Sequence, residues 1–159
     1  MTGDVRWRVA SREVVLDRPF VLGVVNVTPD SFSDGGRLTC AEDAVRHAER
    51  LLDEGADAVD VGGESTRPHN AGPVQAGEEL RRVLPVVRGV RARRPEALIS
   101  VDTVKAEVAR AALGEGTDVV NDVSGLRLDP AMARVCAAAR AGVVLMHSRG
   151  VVADMATYA

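Results

Sequence analysis

Asn26, Asp60, Asp102, the pair Asn121-Asp122 and His147 each stand at or just beyond the end of a short apolar run. A single Asp or Asn in such a place reads as a turn former or helix cap, since its short side chain bonds readily to nearby backbone. Five runs out of five ending this way point instead to polar groups gathered on one rim. Two stretches between the runs are longer than connectivity requires: Asn26 to Gly36, and Gly62 to Gly77. They carry carboxylates, hydroxyls, the aromatic ring of Phe32 and the guanidinium of Arg67 among Gly and Pro. Long polar loops above a strand rim commonly supply substrate contacts, so the chemistry expected is recognition of a small polar molecule.

The elements that must position these groups are legible in the apolar runs themselves. Phe20–Val27, Ala56–Val61, Ala97–Val101, Thr117–Val120 and Gly142–Met146 are Val- and Leu-rich without strict alternation, the pattern of parallel strands buried on both faces. Segments of helical period lie between them. The first is expected from Cys40 to Glu54, with Thr39 as N-cap, Glu42 completing a capping box and Gly55 as the stop. A second spans Gly77 to Arg93, burying Leu80, Val83, Leu84, Val87 and Val90, with Pro85 expected to kink it. The third covers Val104 to Leu113, with Thr103 as its simplest cap. The fourth begins with Asp129 as N-cap and Pro130 at the first helical position, and ends at Gly142.

Strand–helix alternation of this kind specifies an α/β architecture, either a doubly wound sheet or a barrel. An eight-fold barrel takes about 250 residues, roughly 31 per βα unit, so 159 residues hold about five units. The expected domain plan is an N-terminal extension over 1–19 followed by βα units over 20–159, a truncated barrel with two unpaired edges that invite association. No Walker-type sequence occurs, and the one G-x-G, Gly114-Glu115-Gly116, precedes a strand where a dinucleotide fingerprint must follow one.

Composition narrows the class further. The chain is 46% hydrophobic and 27% charged, with 20 basic against 23 acidic residues and a net charge of −3, so it lacks the basic footprint of a nucleic-acid binder. No apolar stretch approaches the roughly 20 residues of a bilayer span, so no membrane partner and a cytoplasmic setting are expected. Cys40 and Cys136 stand apart and are expected simply to pack. His47 and His69 read as structural residues, while His147, at a strand end, reads as a ligand, a base or a supporting residue.

The motifs Asn26-Val27-Thr28-Pro29-Asp30-Ser31-Phe32-Ser33-Asp34-Gly35-Gly36, Val61-Gly62-Gly63-Glu64-Ser65-Thr66-Arg67-Pro68, Ser100-Val101-Asp102-Thr103, Asn121-Asp122-Val123-Ser124-Gly125 and Met146-His147 together resemble dihydropteroate synthase. Order and spacing both match, over about Phe20 to Gly150. The resemblance implies a (β/α)8 TIM barrel of which about the first five βα units are present. It also implies a transferase that joins p-aminobenzoate to a dihydropterin diphosphate, giving dihydropteroate and pyrophosphate.

By the same resemblance Asn26 contacts Mg2+, and Asp34 faces the pterin cation left when pyrophosphate departs. Asp102 and Asn121 line the pterin pocket and Met146 packs on the ring. Thr66 contacts the diphosphate, and Arg67, Pro68 and Phe32 the p-aminobenzoate end. Asp34 and Asp102 are the catalytic candidates. Two departures stand out. His69-Asn70-Ala71-Gly72-Pro73 follows Pro68 where the family commonly has Gly, and the family's later units, with a further aspartate, a lysine, an arginine–histidine pair and the homodimer surface of the full-length form, have no counterpart here. The alternatives are a non-catalytic pterin-binding homologue and, disfavoured by the first loop, a corrinoid-linked methyltetrahydrofolate methyltransferase.

Overall fold

The computed structural model describes residues 5–10, 12–27, 37–64 and 74–147. The first elements are strands β1 (Val5–Val9) and β2 (Arg12–Leu16), an antiparallel hairpin within the stretch read as an N-terminal extension. There follow β3 (Leu22–Asn26), α1 (Arg37–Asp53), β4 (Ala58–Gly62), α2 (Ala76–Arg93), β5 (Leu98–Asp102), α3 (Ala106–Gly114), β6 (Val119–Asp122), α4 (Met132–Ala139) and β7 (Gly142–Leu145). Strands β3 to β7 form one parallel sheet in strict sequence order. A doubly wound sheet reverses its strand order at a switch point, whereas a barrel wall does not. The unbroken order therefore decides for an arc of a barrel.

Period-two alternation sorts the sheet into two faces. Val25, Val59, Val61, Ile99, Val101 and Val120 are fully buried among helix residues such as Ala44, Ala48, Val83, Val87, Val90 and Ala109. The intervening positions look the other way, into the concave face, and they include Val24, Asp60, Ser100, Asp102 and Asn121. Val24 is 54% exposed there because among the described residues β3 pairs only with β4. On α2 the buried stripe is Glu79, Val83, Val86, Val87 and Val90, turned slightly from the expected one, with Leu80 and Leu84 half-buried. Pro85 sits on the exposed side of that helix, and the helix runs through it.

Several helix ends differ from expectation for local reasons. Helix α1 begins at Arg37, so Thr39 lies inside its first turn rather than at the cap, and Glu42 pairs with Arg93 and Arg46 instead of closing a capping box. Helix α4 starts at Met132, because Asp129 is committed to a tie between loops: its Oδ1 accepts the Ala131 N–H (2.9 Å) and its Oδ2 the N–H of Ala106, the first residue of α3 (2.8 Å). Thr103 supports the same helix start less directly, accepting the Lys105 N–H at 3.2 Å. Gly142 does not stop α4. Arg140 takes the left-handed cap itself (φ 52°), and Gly142 opens β7. Cys136 packs in the core as expected, while the side chain of Cys40 lies outside the described residues.

Candidate active site

The ladder places the strand-end residues in a single row. Asn26 lies opposite Gly62, Gly62 opposite Asp102, Asp102 opposite Asn121, and Asn121 opposite Val144. Residues in one row of a parallel sheet share a face, so Asn26, Asp102 and Asn121 meet on the concave side at the C-terminal rim. Gly62 leaves a floor between its neighbours: Asn26 Oδ1, Asp102 Cβ and Asp102 Oδ2 lie 3.6, 3.6 and 3.7 Å from where a Cβ on it would stand. Just past the end of β4, Gly63 permits close approach to α2, since a Cβ there would meet Val83 Cγ2 at 2.9 Å and Glu79 Cγ at 3.0 Å.

One step below the row, Asp60 and Ser100 face each other from β4 and β5, both buried. Asn121 Nδ2 donates to Asp60 Oδ2 at 2.9 Å, which fixes the amide and leaves its Oδ1 and second N–H for the cavity. Asp60 Oδ1 and Ser100 Oγ have no partner in hydrogen-bonding geometry, although the hydroxyl is near enough to favour the carboxylate. Burial raises the Asp60 pKa, opposed by Ser100 and Asn121. Asp102 is pushed up to about 7, first by burial and then by the negative charges of Asp60, Glu79, Asp122 and Glu64. Two inward carboxylates that resist ionisation form a polar floor suited to a neutral heterocycle with hydrogen-bonding edges.

Asp122 belongs to the other face and has a different role. It is fully buried, and its carboxylate accepts the Ser124 N–H (2.8 Å) and the Leu126 N–H (3.1 Å), shaping the turn after β6 where Gly125 and Leu126 take positive φ. Met146 follows β7 at the same rim, its N–H directed to the Asp122 carbonyl at 3.4 Å, and His147 beside it is exposed. Asp34, Phe32, Thr66, Arg67 and Pro68 lie outside the described residues.

Sequence reasoning placed Asp60 among the rim groups without giving it a role in the pocket, and it missed Glu79 and Lys105 altogether. Asp60 shares strand parity with Gly62, so its inward direction could have been read. Glu79 precedes Val83 by four residues on α2, which puts it on the buried stripe, and Lys105 is the chain's single lysine. Its ammonium bridges Glu64 and Glu79.

Compared with known proteins, residues 22–159 match the family described as pterin binding enzyme. The chain belongs to that family. Among pterin-binding relatives it is 53% identical over 129 residues to the dihydropteroate synthase of Mycobacterium leprae, an alignment covering 81% of this chain and 44% of that protein. A solved structure of Xanthomonas albilineans dihydropteroate synthase with 4-aminobenzoic acid aligns at a TM-score of 0.84 and 51% identity, covering 93% of this chain and 53% of the other. The same enzyme in complex with 7,8-dihydropteroate aligns at 0.78 and 49%, covering 90% and 51%. The chain thus spans about half the length of these relatives. Its parallel sheet is that of their barrel.

Proposed function

We propose that the chain supplies the first five βα units of a dihydropteroate synthase, which condenses p-aminobenzoate with 6-hydroxymethyl-7,8-dihydropterin diphosphate to give dihydropteroate and pyrophosphate. The observation that carries this reading is the single row Asn26, Gly62, Asp102, Asn121 on the concave rim, with Asp60 beneath it. Names of relatives at about 50% identity support the same activity. In this reading the pterin lies flat over the floor. Asp102 accepts hydrogen bonds from ring N–H groups, and Asn121, its amide fixed by Asp60, presents one acceptor and one donor. Met146 packs on the ring at the rim. Asp34 faces the electron-poor carbon from which pyrophosphate departs, Thr66 contacts the diphosphate, and Phe32, Arg67 and Pro68 hold the p-aminobenzoate end.

Magnesium fits the donor set in a limited way. Asn26 offers one hard, neutral oxygen beside the Asp102 carboxylate, and no group of three or more His, Cys, Asp or Glu side chains clusters as a metal site among the described residues. That suits an ion held chiefly by diphosphate oxygens and water, with Asn26 as its protein ligand. When bound, the ion neutralises charge that builds on the leaving pyrophosphate. Among the described residues no helix is long and apolar enough to cross a membrane, and a cytoplasmic setting is part of the proposal, as is the homodimer of the full-length form.

The direct test is aminobenzoate-dependent release of pyrophosphate, lost when magnesium is chelated. Pterin affinity without release would favour the non-catalytic homologue, and absence of both would overturn the reading. A narrower test concerns the floor. Asp60→Ala frees the Asn121 amide to rotate, and pterin affinity measured by calorimetry is expected to fall about tenfold, the worth of one buried hydrogen bond. Unchanged affinity would mean that Asn121 does not depend on Asp60.

A further inference from the structure

One step below the rim row, the ladder sets Val24, Asp60, Ser100 and Val119 side by side on β3, β4, β5 and β6. Ser100 is fully buried and Asp60 is 4% exposed, so water offers little to either. In that row the Ser100 hydroxyl has apolar Val119 on one side and the Asp60 carboxylate on the other. Among the described residues neither Ser100 Oγ nor Asp60 Oδ1 has a partner in hydrogen-bonding geometry. A turn of the hydroxyl gives each the partner it lacks, and two neighbouring buried polar atoms are costly until it does. The other carboxylate oxygen, Oδ2, is already engaged, accepting Asn121 Nδ2–H at 2.9 Å. The carboxylate is thus divided, Oδ1 for Ser100 and Oδ2 for Asn121.

We propose that Ser100 is a positioning residue: through Asp60 it fixes which way round the Asn121 amide faces the cavity, and so selects an amino-substituted pyrimidine edge over its oxo counterpart. Ser100 does this in either protonation state of Asp60. A carboxylate accepts from Ser100 at Oδ1 and from Asn121 at Oδ2, while an acid gives its proton from Oδ1 to Ser100 Oγ and still accepts at Oδ2. With alanine at 100, nothing tells the two oxygens apart. Burial and the negative charge of Asp102 favour a proton on Asp60, and Ser100 supplies one of the two hydrogen bonds that oppose it. When that proton sits on Oδ2, the Asn121 amide turns over to accept it, exchanging the oxygen and the N–H that it shows to the cavity. A 2-aminopyrimidine edge offers an amino donor beside a ring-nitrogen acceptor, and the 2-oxo edge offers an acceptor beside a ring N–H. Each matches one orientation of the amide and opposes the other. What binds there rests on the functional reading above, whereas the series Ser100, Asp60, Asn121 stands on the described geometry.

The test measures, by calorimetry at about pH 6, the affinities of 6-hydroxymethylpterin and of 6-hydroxymethyllumazine, which carries oxo in place of amino, for wild type and Ser100→Ala. Wild type is expected to prefer the pterin by about a hundredfold and Ser100→Ala by only about tenfold, with Ser100→Thr, which keeps the hydroxyl, close to wild type. An unchanged preference in Ser100→Ala overturns the inference. So does an equal loss of affinity for both compounds, which would make the serine a plain stabiliser. Should Ser100→Ala fail to fold, Ser100→Cys, close in size and a weak donor, is judged by the same ratio. Side-chain amide NMR of Asn121 in the free protein gives a second reading. One Nδ2 proton is expected to be protected from solvent exchange in wild type, and that protection to fall about tenfold in Ser100→Ala. Equal protection in the two proteins overturns the inference as well. If wild type binds neither compound, the functional reading fails while the exchange result still judges the hydrogen-bond series.

Discussion

Asp102→Asn is expected to weaken pterin binding by about a hundredfold or more and, in the same protein, to stabilise the unliganded fold above neutral pH. The first effect follows from chemistry at the cavity edge. An amide in place of the carboxylate turns one acceptor into a donor that faces ring N–H groups, and a site built for specific hydrogen bonds rejects a mismatch strongly. The second follows from the raised pKa. Asp102 titrates at about 7 in the fold because burial and four neighbouring carboxylates oppose its charge, against about 3.9 in an unfolded chain. The folded state thus holds a proton that the unfolded state has lost between those values. Its contribution to stability falls as pH rises through about 4 to 7, and the full penalty is present above 7.

Asparagine removes that penalty without creating a cavity. At pH 8 the variant is expected to resist urea better by roughly 1–3 kcal/mol, and at pH 4 to match wild type. Calorimetry in two buffers of different ionisation enthalpy at pH 6 supplies a further check, since ring N–H donors favour the ionised carboxylate and binding should release a proton in wild type only. Equal stability of the two proteins at pH 8 would show that Asp102 is not held in the environment described. Retained pterin affinity would remove it from the pocket.

The strands and the polar rim could be read before the fold because valine runs and the residues ending them are local signals, whereas the runs alone left the strand order open between a doubly wound sheet and a barrel. Asp102 and Asn121 were legible for that reason, each being the last or nearly the last residue of its strand. What escaped depends on contacts distant in sequence. Asp60 became a pocket residue through Asn121, 61 positions away, and Lys105 mattered only once Glu64 and Glu79 were beside it. Helix ends were misplaced where a side chain found a stronger partner elsewhere: Glu42 goes to Arg93, and Asp129 divides itself between Ala106 and Ala131. The hairpin had a faint signal in the period-two pattern Val5-Arg6-Trp7-Arg8-Val9. Its turn includes Ala10 at φ 50°, a conformation that alanine gives no reason to expect.

That hairpin governs the second large effect. Gly142 opens β7, and a Cβ there would stand 2.4 Å from Val9 Cγ1 and 3.0 Å from Trp7 Cζ2. No side chain fits while both remain. Strand β7 cannot retreat easily, because Gly142 pairs with Val119 and its N–H donates to the Asp118 carbonyl at 3.0 Å. Gly142→Val must therefore lift the hairpin, exposing the fully buried Val9 and breaking the edge-on contact of Trp7 with Phe20, whose ring centres lie 5.8 Å apart. The expected cost is about 2–4 kcal/mol in urea denaturation, with emission of the chain's single tryptophan shifted to longer wavelength before unfolding begins. Gly77→Ala is the control: nothing lies within 4 Å of its Cβ position, and the helix should gain about 0.5–1 kcal/mol. An unshifted emission and an unchanged midpoint in Gly142→Val would mean the hairpin sits elsewhere. The ties of the hairpin run to Arg140 before β7 and, through Arg12, to Pro95 and Glu96 before β5, so it closes the N-terminal end of the sheet, opposite Asp102 and Asn121. In barrels that end serves stability and the other serves chemistry, so Gly142→Val should lower the unfolding midpoint and leave pterin affinity of the still-folded protein as it was.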